Sequence, residues 1–297
     1  MKNQPGTKAM FIISMAVFGT LGLFTRNISV SSGELALYRA ILASALILVY
    51  LTVSGQKLDL RMIKGEIPLL LASGIAMGIN WILLFEAYKY TTISAATLSY
   101  YFAPVIVTVV CPLLFRERLT GKQILCFVMS TAGLVLIIGT DSLGKGGTDV
   151  VGVLFGLGAA VFYASVILLN KFIRHVAGIH RTLLQFFAAI IILVPYVACT
   201  GGVHLSGLDG AGWACLLTVG LVHTGITYCL YFSSLKDMRG QEAAILSYID
   251  PLTAVLISAV FLGEYMSPQQ IAGGILILGF AIWNEKSPQP VEGGKGK

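Results

Sequence analysis

Apolar positions along the chain are gathered into long runs, separated by short breaks of charge, Gly or Pro. The runs fall near 9–25, 34–53, 67–88, 91–115, 123–140, 150–170, 182–199, 212–235, 243–262 and 270–284. A hydrocarbon core about 30 Å thick asks for about twenty mostly apolar residues per crossing helix, so the pattern predicts ten membrane spans. Barrel strands would alternate polar and apolar positions over about ten residues, which these continuous runs do not do. In lipid a helix also satisfies its own backbone.

Lys and Arg sort by loop. With the N-terminus in the cytoplasm, Lys2 and Lys8, then Lys57, Arg61 and Lys64, then Arg116, Arg118 and Lys122 share that side. Lys171, Arg174 and Arg181, then Lys236 and Arg239, and finally Lys286, Lys295 and Lys297 join them. The opposite side receives Arg26, Lys89 and Lys145, and Arg39 lies inside a span. A span count wrong by one would scramble every later loop, so the sorting supports ten spans with both termini cytoplasmic, in the plasma membrane.

Composition narrows the class. With 56% hydrophobic and 11% charged residues, the chain has too little polar surface to cover a water-soluble globule of 297 residues. The net charge of +6 is explained by the loop distribution, and no nucleic-acid partner is expected. The five cysteines, at 111, 126, 199, 215 and 229, lie in apolar stretches without a CxxC pair, which argues against a disulfide framework and a zinc site. Lys2 and Lys8 before an apolar run resemble a signal peptide, but no small-residue cleavage pattern follows, so the run is read as the first span. His175 and His180 lack HExxH spacing, and there is no GxSxG or P-loop pattern, so neither an enzyme nor an ATP-driven pump is expected, and no cofactor or metal.

The fourth and ninth spans expose an internal repeat. Ala96-Thr-Leu-Ser-Tyr100 matches Ala244-Ile-Leu-Ser-Tyr248, and Lys89, Pro104, Glu117 and Gln123 recur at one constant offset as Lys236, Pro251, Glu264 and Gln270. One extra residue stands between Tyr100 and Pro104. Each copy holds five spans, an odd number, so the second enters the membrane from the opposite side. The expected units are 1–142 and 148–285, with a cytoplasmic tail over 286–297. Inverted halves can open a central site to each side in turn, which is the logic of a transporter, although duplication alone establishes only ancestry.

Further motifs carry a resemblance. Phe85-Glu-Ala-Tyr-Lys-Tyr-Thr-Thr-Ile-Ser-Ala-Ala-Thr-Leu, then Pro104, Phe115-Arg-Glu-Arg-Leu-Thr-Gly-Lys-Gln and Gly133-Leu-Val-Leu-Ile form one set; Leu246-Ser-Tyr-Ile-Asp-Pro251 and Leu262-Gly-Glu-Tyr-Met-Ser-Pro-Gln-Gln270 repeat it. The pattern resembles the EamA family of the drug/metabolite transporter superfamily over nearly the whole chain. Ala36-Leu-Tyr-Arg39-Ala-Ile-Leu-Ala looks like that family's second span, while Phe18-Gly19 departs from its common Trp-Gly. The resemblance implies an all-α basket of ten helices in two inverted five-helix repeats around a central cavity. It implies solutes such as amino acids, amines, nucleobases or organic cations, often exported by proton coupling or passive facilitation. Fold-level analogy leaves substrate, direction, energy source and oligomeric state open. A channel or a non-transporting assembly partner is the alternative.

Ionisable groups inside a bilayer are costly, so they are the first candidates for a site. Asp250 stands directly before Pro251, which lacks an amide hydrogen and disfavours helical geometry in the residue before it. It is read either as a cation or proton site or as a partner for backbone donors freed by the proline. Pro104 and Pro251 mark helix breaks; the position paired with Asp250 is Ala103, so the site is asymmetric. Glu86 is a second coupling candidate, set against a local ion pair with Lys89. Arg39 is read as a structural bridge taking acceptors from another helix, with snorkelling as the alternative. Trp81, Tyr100, Tyr228 and Tyr248 are candidate aromatic contacts, worth about 0.5–2 kcal/mol per ring for a cation, set against ordinary packing. His223 is a candidate proton relay, set against a hydrogen-bonded core histidine. The GxxxG pairs Gly74/Gly78 and Gly152/Gly156 predict close helix packing. Glu117 and Glu264 are read as end caps or bridges outside the site.

Overall fold

The computed structural model describes residues 5–56, 64–115, 120–138, 148–176, 178–235 and 246–285. Among them there are helices and no strands. The first span is Pro5–Gly19 continued by Leu21–Thr25, with a break at Thr20; the second is Ser32–Val53 and the third Ile67–Tyr90. The fourth is broken into Ile93–Tyr100 and Ala103–Phe115, followed by Gly121–Ile138, Thr148–Phe172 and Gly178–Cys199 as the fifth to seventh. The eighth joins Gly210–Leu217 to Thr227–Leu235 through a π-helix, Thr218–Ile226; Ile249–Phe261 and Pro268–Glu285 complete the ten. Among the described residues, seven helices are long and apolar enough to cross a membrane, and Gly121–Leu136 and Ile249–Phe261 are shorter apolar helices. Glu117, Lys236, Arg239 and the tail lie outside the described residues.

Short polar residues set the helix starts. Ser31 accepts from the Glu34 amide while the Glu34 carboxylate accepts from the Ser31 amide, a capping box that satisfies two otherwise unpaired donors. Thr92 and Asp209 cap the fourth and eighth spans in the same manner, each accepting the amide three residues on.

Helix packing obeys the repeat. Exchanging each span with the one five places along converts the third–sixth contact into first–eighth, third–seventh into second–eighth, and fourth–sixth into first–ninth; all six contacts are present. Fifth–tenth and fourth–ninth map onto themselves and are also present. These two self-mapped pairs reveal the relative direction of the halves. In the fourth–ninth pair Ile93 meets Glu264 while Tyr101 meets Asp250. In the fifth–tenth pair Lys122 meets Trp283 while Gly133 faces Gly273. A span and its repeat therefore run antiparallel, as inverted halves require.

Both glycine pairs serve contacts within the chain. Gly74 and Gly78 lie against Ala188, Ala189 and Ile192 of the seventh span, and Gly152 and Gly156 against Thr91, Ala96 and Ser99 at the head of the fourth. A side chain at Gly74 or Gly152 would press on the facing span, whereas a Cβ at Gly78 would make near-ordinary contacts. Next to the first pair, the Gln185 amide donates to Ser73 Oγ at 2.5 Å and to Asn170 Oδ1 at 2.7 Å, and Asn80 donates to the Ala159 carbonyl at 2.6 Å. These bonds fasten the third, sixth and seventh spans where water is scarce and an unpaired polar group is costly.

Candidate functional site

The fourth and ninth spans, each broken just ahead of a proline, bring the central residues together. Tyr101 and Phe102 form a turn after Ile93–Tyr100, and a new helix begins at Ala103; in the ninth span the turn is at Tyr248 and the new helix begins at Ile249. Pro104 and Pro251 thus lie in first turns, where amides have no acceptor within their own helix, so the missing amide hydrogen costs nothing. Each break lies just ahead of its proline, not at it. The same register puts Asp250 in a first turn, where a carboxylate is favoured by the exposed amides and the helix dipole.

The hydroxyl of Tyr101 donates to Asp250 Oδ2 at 2.5 Å, joining the halves through one hydrogen bond. Tyr101 contacts Tyr100 at 5.7 Å and Tyr248 at 6.3 Å between ring centroids, and Tyr100 contacts Tyr163 of the sixth span at 5.1 Å. A second aromatic row runs from Trp81 to Phe186 at 5.3 Å, on to Tyr228 at 5.5 Å and then to Tyr231 at 6.5 Å. Through Tyr101 the first row borders Asp250. Against the other side of the ninth span, Gly19 lets the first span rest directly on the Asp250 backbone carbonyl and Thr253.

Arg39 is 4% exposed. Its Nε donates to Thr224 Oγ1 at 2.7 Å, and its guanidinium lies 4.7 Å over Trp81 and 5.7 Å from the Phe85 ring. A desolvated cation over an indole gains about 2 kcal/mol. Thr224 belongs to the π-helix and donates onward to the Val219 carbonyl five residues earlier. The wider winding brings this hydroxyl to Arg39; such segments recur at functional sites. Trp81 is thus the floor under Arg39.

His223, also on the π-helix, stands 2.8 Å from Thr20 Oγ1 through Nε2 and 3.2 Å from the Thr218 carbonyl through Nδ1. The Thr218 carbonyl can only accept, so Nδ1 carries a proton towards it; the Thr20 hydroxyl stands 2.8 Å from both Nε2 and the Val17 carbonyl, and its single hydrogen serves one of them. His223 therefore holds the break in the first span. Glu86 accepts from Lys89 Nζ at 3.1 Å, and both are partly open.

Two participants, Tyr101 and Tyr163, escaped the sequence reading in this role, while Glu264 forms the bridge the sequence reading gave it. Tyr101 is the extra residue between Tyr100 and Pro104, and that insertion was the available signal. Tyr163 follows Ala160-Val161-Phe162, a copy of Ala16-Val17-Phe18, and so occupies the position of Gly19. Glu264 accepts from the Ile93 amide at 2.9 Å, from Ser258 Oγ, and pairs with Arg26. It draws together the ends of the first, fourth and ninth spans.

An all-helical membrane protein of two inverted five-span halves, meeting at a half-buried carboxylate, has the architecture of a membrane transporter. The model of the EamA-like transporter family matches residues 7–139 and again 150–284, and the chain belongs to that family, within the drug/metabolite transporter superfamily. It is 29% identical over 284 residues to the Bacillus subtilis (strain 168) protein named "Uncharacterized transporter YxxF", covering 93% of this chain and 88% of that one. It is 25% identical to an "Uncharacterized transporter" of Archaeoglobus fulgidus, covering 94% and 96%. A crystal structure at 18% identity superposes with a TM-score of 0.64 over 93% of this chain and 96% of its own, which shows a shared fold.

Proposed function

We propose that this transporter is a secondary carrier exporting a small organic solute across the plasma membrane by alternating access, with both termini in the cytoplasm. Its solute site is centred on Asp250. The observation that carries the reading is the Tyr101–Asp250 hydrogen bond at the crossing of the fourth and ninth spans, where the repeat axis passes. A half-buried carboxylate at such a crossing attracts a cationic group or a proton, and neighbouring tyrosine rings add cation–π attraction. Tyr100, Tyr228 and Tyr248 line the solute, Trp81 acts through Arg39, and His223 acts through Thr20. Glu86 stays a surface partner of Lys89. The units 1–142 and 148–285 rock about the site, and the Arg26–Glu264 clamp closes the side facing away from the cytoplasm. That side follows from the loop charges.

The test is substrate-dependent stabilisation and flux, compared with Asp250→Asn. A ligand at about one hundred times its dissociation constant stabilises by about 2.7 kcal/mol, within reach of a thermal-shift screen. Amines, amino acids, nucleobases and aromatic cations are screened in detergent, and hits are followed as saturable, pH-dependent flux in proteoliposomes. Loss of the hit and of the pH dependence in a folded Asp250→Asn protein supports the reading. Unchanged flux and pH dependence overturns it, and non-saturable flux favours a channel.

A further inference from the structure

The first span is two helices, Pro5–Gly19 and Leu21–Thr25, that part at Thr20 without a proline nearby. Its counterpart in the second half, the sixth span, runs unbroken over Thr148–Phe172. With Ala16-Val17-Phe18 set on Ala160-Val161-Phe162, Thr20 falls on Ala164, so the unbroken copy has no hydroxyl at this position. In the broken copy the Thr20 hydroxyl lies 2.8 Å from the Val17 carbonyl, and the Thr20 amide donates to the same oxygen at 3.1 Å. In a continuous helix that carbonyl would take the Leu21 amide, which makes no bond to it. A threonine bonding back to its own helix bends it in this way.

The eighth span changes its winding opposite the break. The inner arm, Pro5–Gly19, packs on the α-helical part, Thr227–Leu235, with Phe11 5.4 Å from Tyr231 and Phe18 5.2 Å from Tyr228 between ring centroids. Gly19 seats this arm on the ninth span. The outer arm, Leu21–Thr25, packs on the π-helix, with Phe24 4.9 Å from His223, and on Gly210–Leu217. A Cβ on Gly22 would fall 2.6 Å from Ile93 Cγ2, so this arm lies directly on the head of the fourth span. Ile93 gives its amide to Glu264, and Glu264 pairs with Arg26, the residue that follows the outer arm. Both arms touch the ninth span, but the outer one leads into the clamp. At the joint His223 reaches Thr20 from the π-helix, which pins the break where two helix irregularities meet.

We propose that Thr20 is a hinge dividing the first span into two arms, and that the outer arm with Arg26 is a lid that lifts from Ile93 and Glu264 while the inner arm stays seated on the eighth and ninth spans. The proposal rests on the reading that the Arg26–Glu264 clamp closes the side facing away from the cytoplasm. It goes further by assigning that opening to one short arm, ahead of any rocking of the halves. Lifting the arm separates Gly22 from Ile93 and Arg26 from Glu264, and leaves the ring contacts of Phe11 and Phe18 intact. Rocking the whole span breaks both sets.

The experiment uses the full-length protein in detergent, with one cysteine introduced at a time. Ile93→Cys lies under the outer arm and Met15→Cys within the inner-arm contacts; the native residues are 2% and 4% exposed. Alkylation by N-ethylmaleimide is followed site by site by peptide mass, and its rate at a buried site reports local opening. Native Cys126, 3% exposed in the fifth span, reports global unfolding and serves as the internal standard. Glu264→Gln should speed labelling at Ile93→Cys about tenfold, the value of one charge-assisted hydrogen bond, and leave Met15→Cys unchanged. Thr20→Ala, which installs the residue of the unbroken copy, should fuse the arms and bring the two sites to the same gain; Thr20→Ser should restore the difference. A Thr20→Ala protein that unfolds is recognised at Cys126, and the comparison with Thr20 in place then decides alone. A gain at Met15→Cys as large as that at Ile93→Cys, with Thr20 in place, means that the span moves as a rod and overturns the proposal alone. So does a difference that survives Thr20→Ala in a folded protein. Labelling that Glu264→Gln speeds at neither site removes the clamp, and the lid with it.

Discussion

Gly19 offers a direct measure of how closely the first span must approach the carboxylate. A Cβ built on Gly19 would lie 2.6 Å from Thr253 Cβ and 3.0 Å from the Ala254 amide nitrogen, with the Asp250 carbonyl oxygen nearer still. Carbon atoms rest at about 3.5–4.0 Å, so Gly19→Ala drives the first span about 1 Å off the ninth. None of the opposing atoms is the far end of a flexible side chain, so relief has to come from the backbone. Overpacking of this kind costs about 1–3 kcal/mol. The control is Gly279→Ala in the tenth span, where a Cβ meets nothing within 4 Å. There the helix propensity of alanine should stabilise by up to about 1 kcal/mol. The two variants, identical in chemistry, should differ by about 1–4 kcal/mol in detergent unfolding, and flux should fall in Gly19→Ala alone. Equal stability of the two variants would refute the close approach, and with it the idea that the first span forms a wall of the site.

Three further outcomes follow from the geometry. Tyr101→Phe removes the donor to Asp250, a charge-assisted bond worth about 1.5–3 kcal/mol, and a double-mutant cycle with Asp250→Asn should show coupling of that order; additive effects would deny the bond. Glu264→Gln weakens the clamp to Arg26, and a shift of about 1.4 kcal/mol towards opening on that side should speed thiol labelling of a single cysteine at Thr253 about tenfold, an equal rate sinking the clamp. Glu66, just ahead of the third span, accepts the amides of Arg174 at 2.6 Å and His175 at 3.0 Å. Burial alone would raise its carboxyl, but these bonds and the His175 ring outweigh it and hold it down at about 2 from the ordinary 4.5. A depressed carboxyl stabilises above its unfolded value and loses that contribution as pH falls through the folded one, so Glu66→Gln should flatten the acid loss of stability between about pH 4.5 and 2. An unchanged acid slope would contradict this.

The periodicity of apolar runs determined the helices, because a hydrocarbon solvent leaves the backbone little alternative and hydropathy is then enough to find the crossings. The matched Ala96–Tyr100 and Ala244–Tyr248 segments, with the parity of five spans, determined that the halves are inverted, and the contact pattern carries that symmetry through. Asp250 was legible as well, since a carboxylate in an apolar run is conspicuous. What surrounds it was not. Tyr101 has no matched partner in the repeat, so the repeat does not single it out; the turn after Tyr100 rotates it onto Asp250. Thr224 reaches Arg39 through a π-helical winding that apolar periodicity does not reveal, and Gly19 acquires its meaning from the Thr253 it touches in the other half. Hydrophobic pattern is a property of neighbours along the chain and is written in the sequence. The partners of a charge inside the membrane come from other spans, Thr224 to Arg39 and Tyr101 to Asp250 across more than one hundred residues, and only tertiary packing decides which of them arrive.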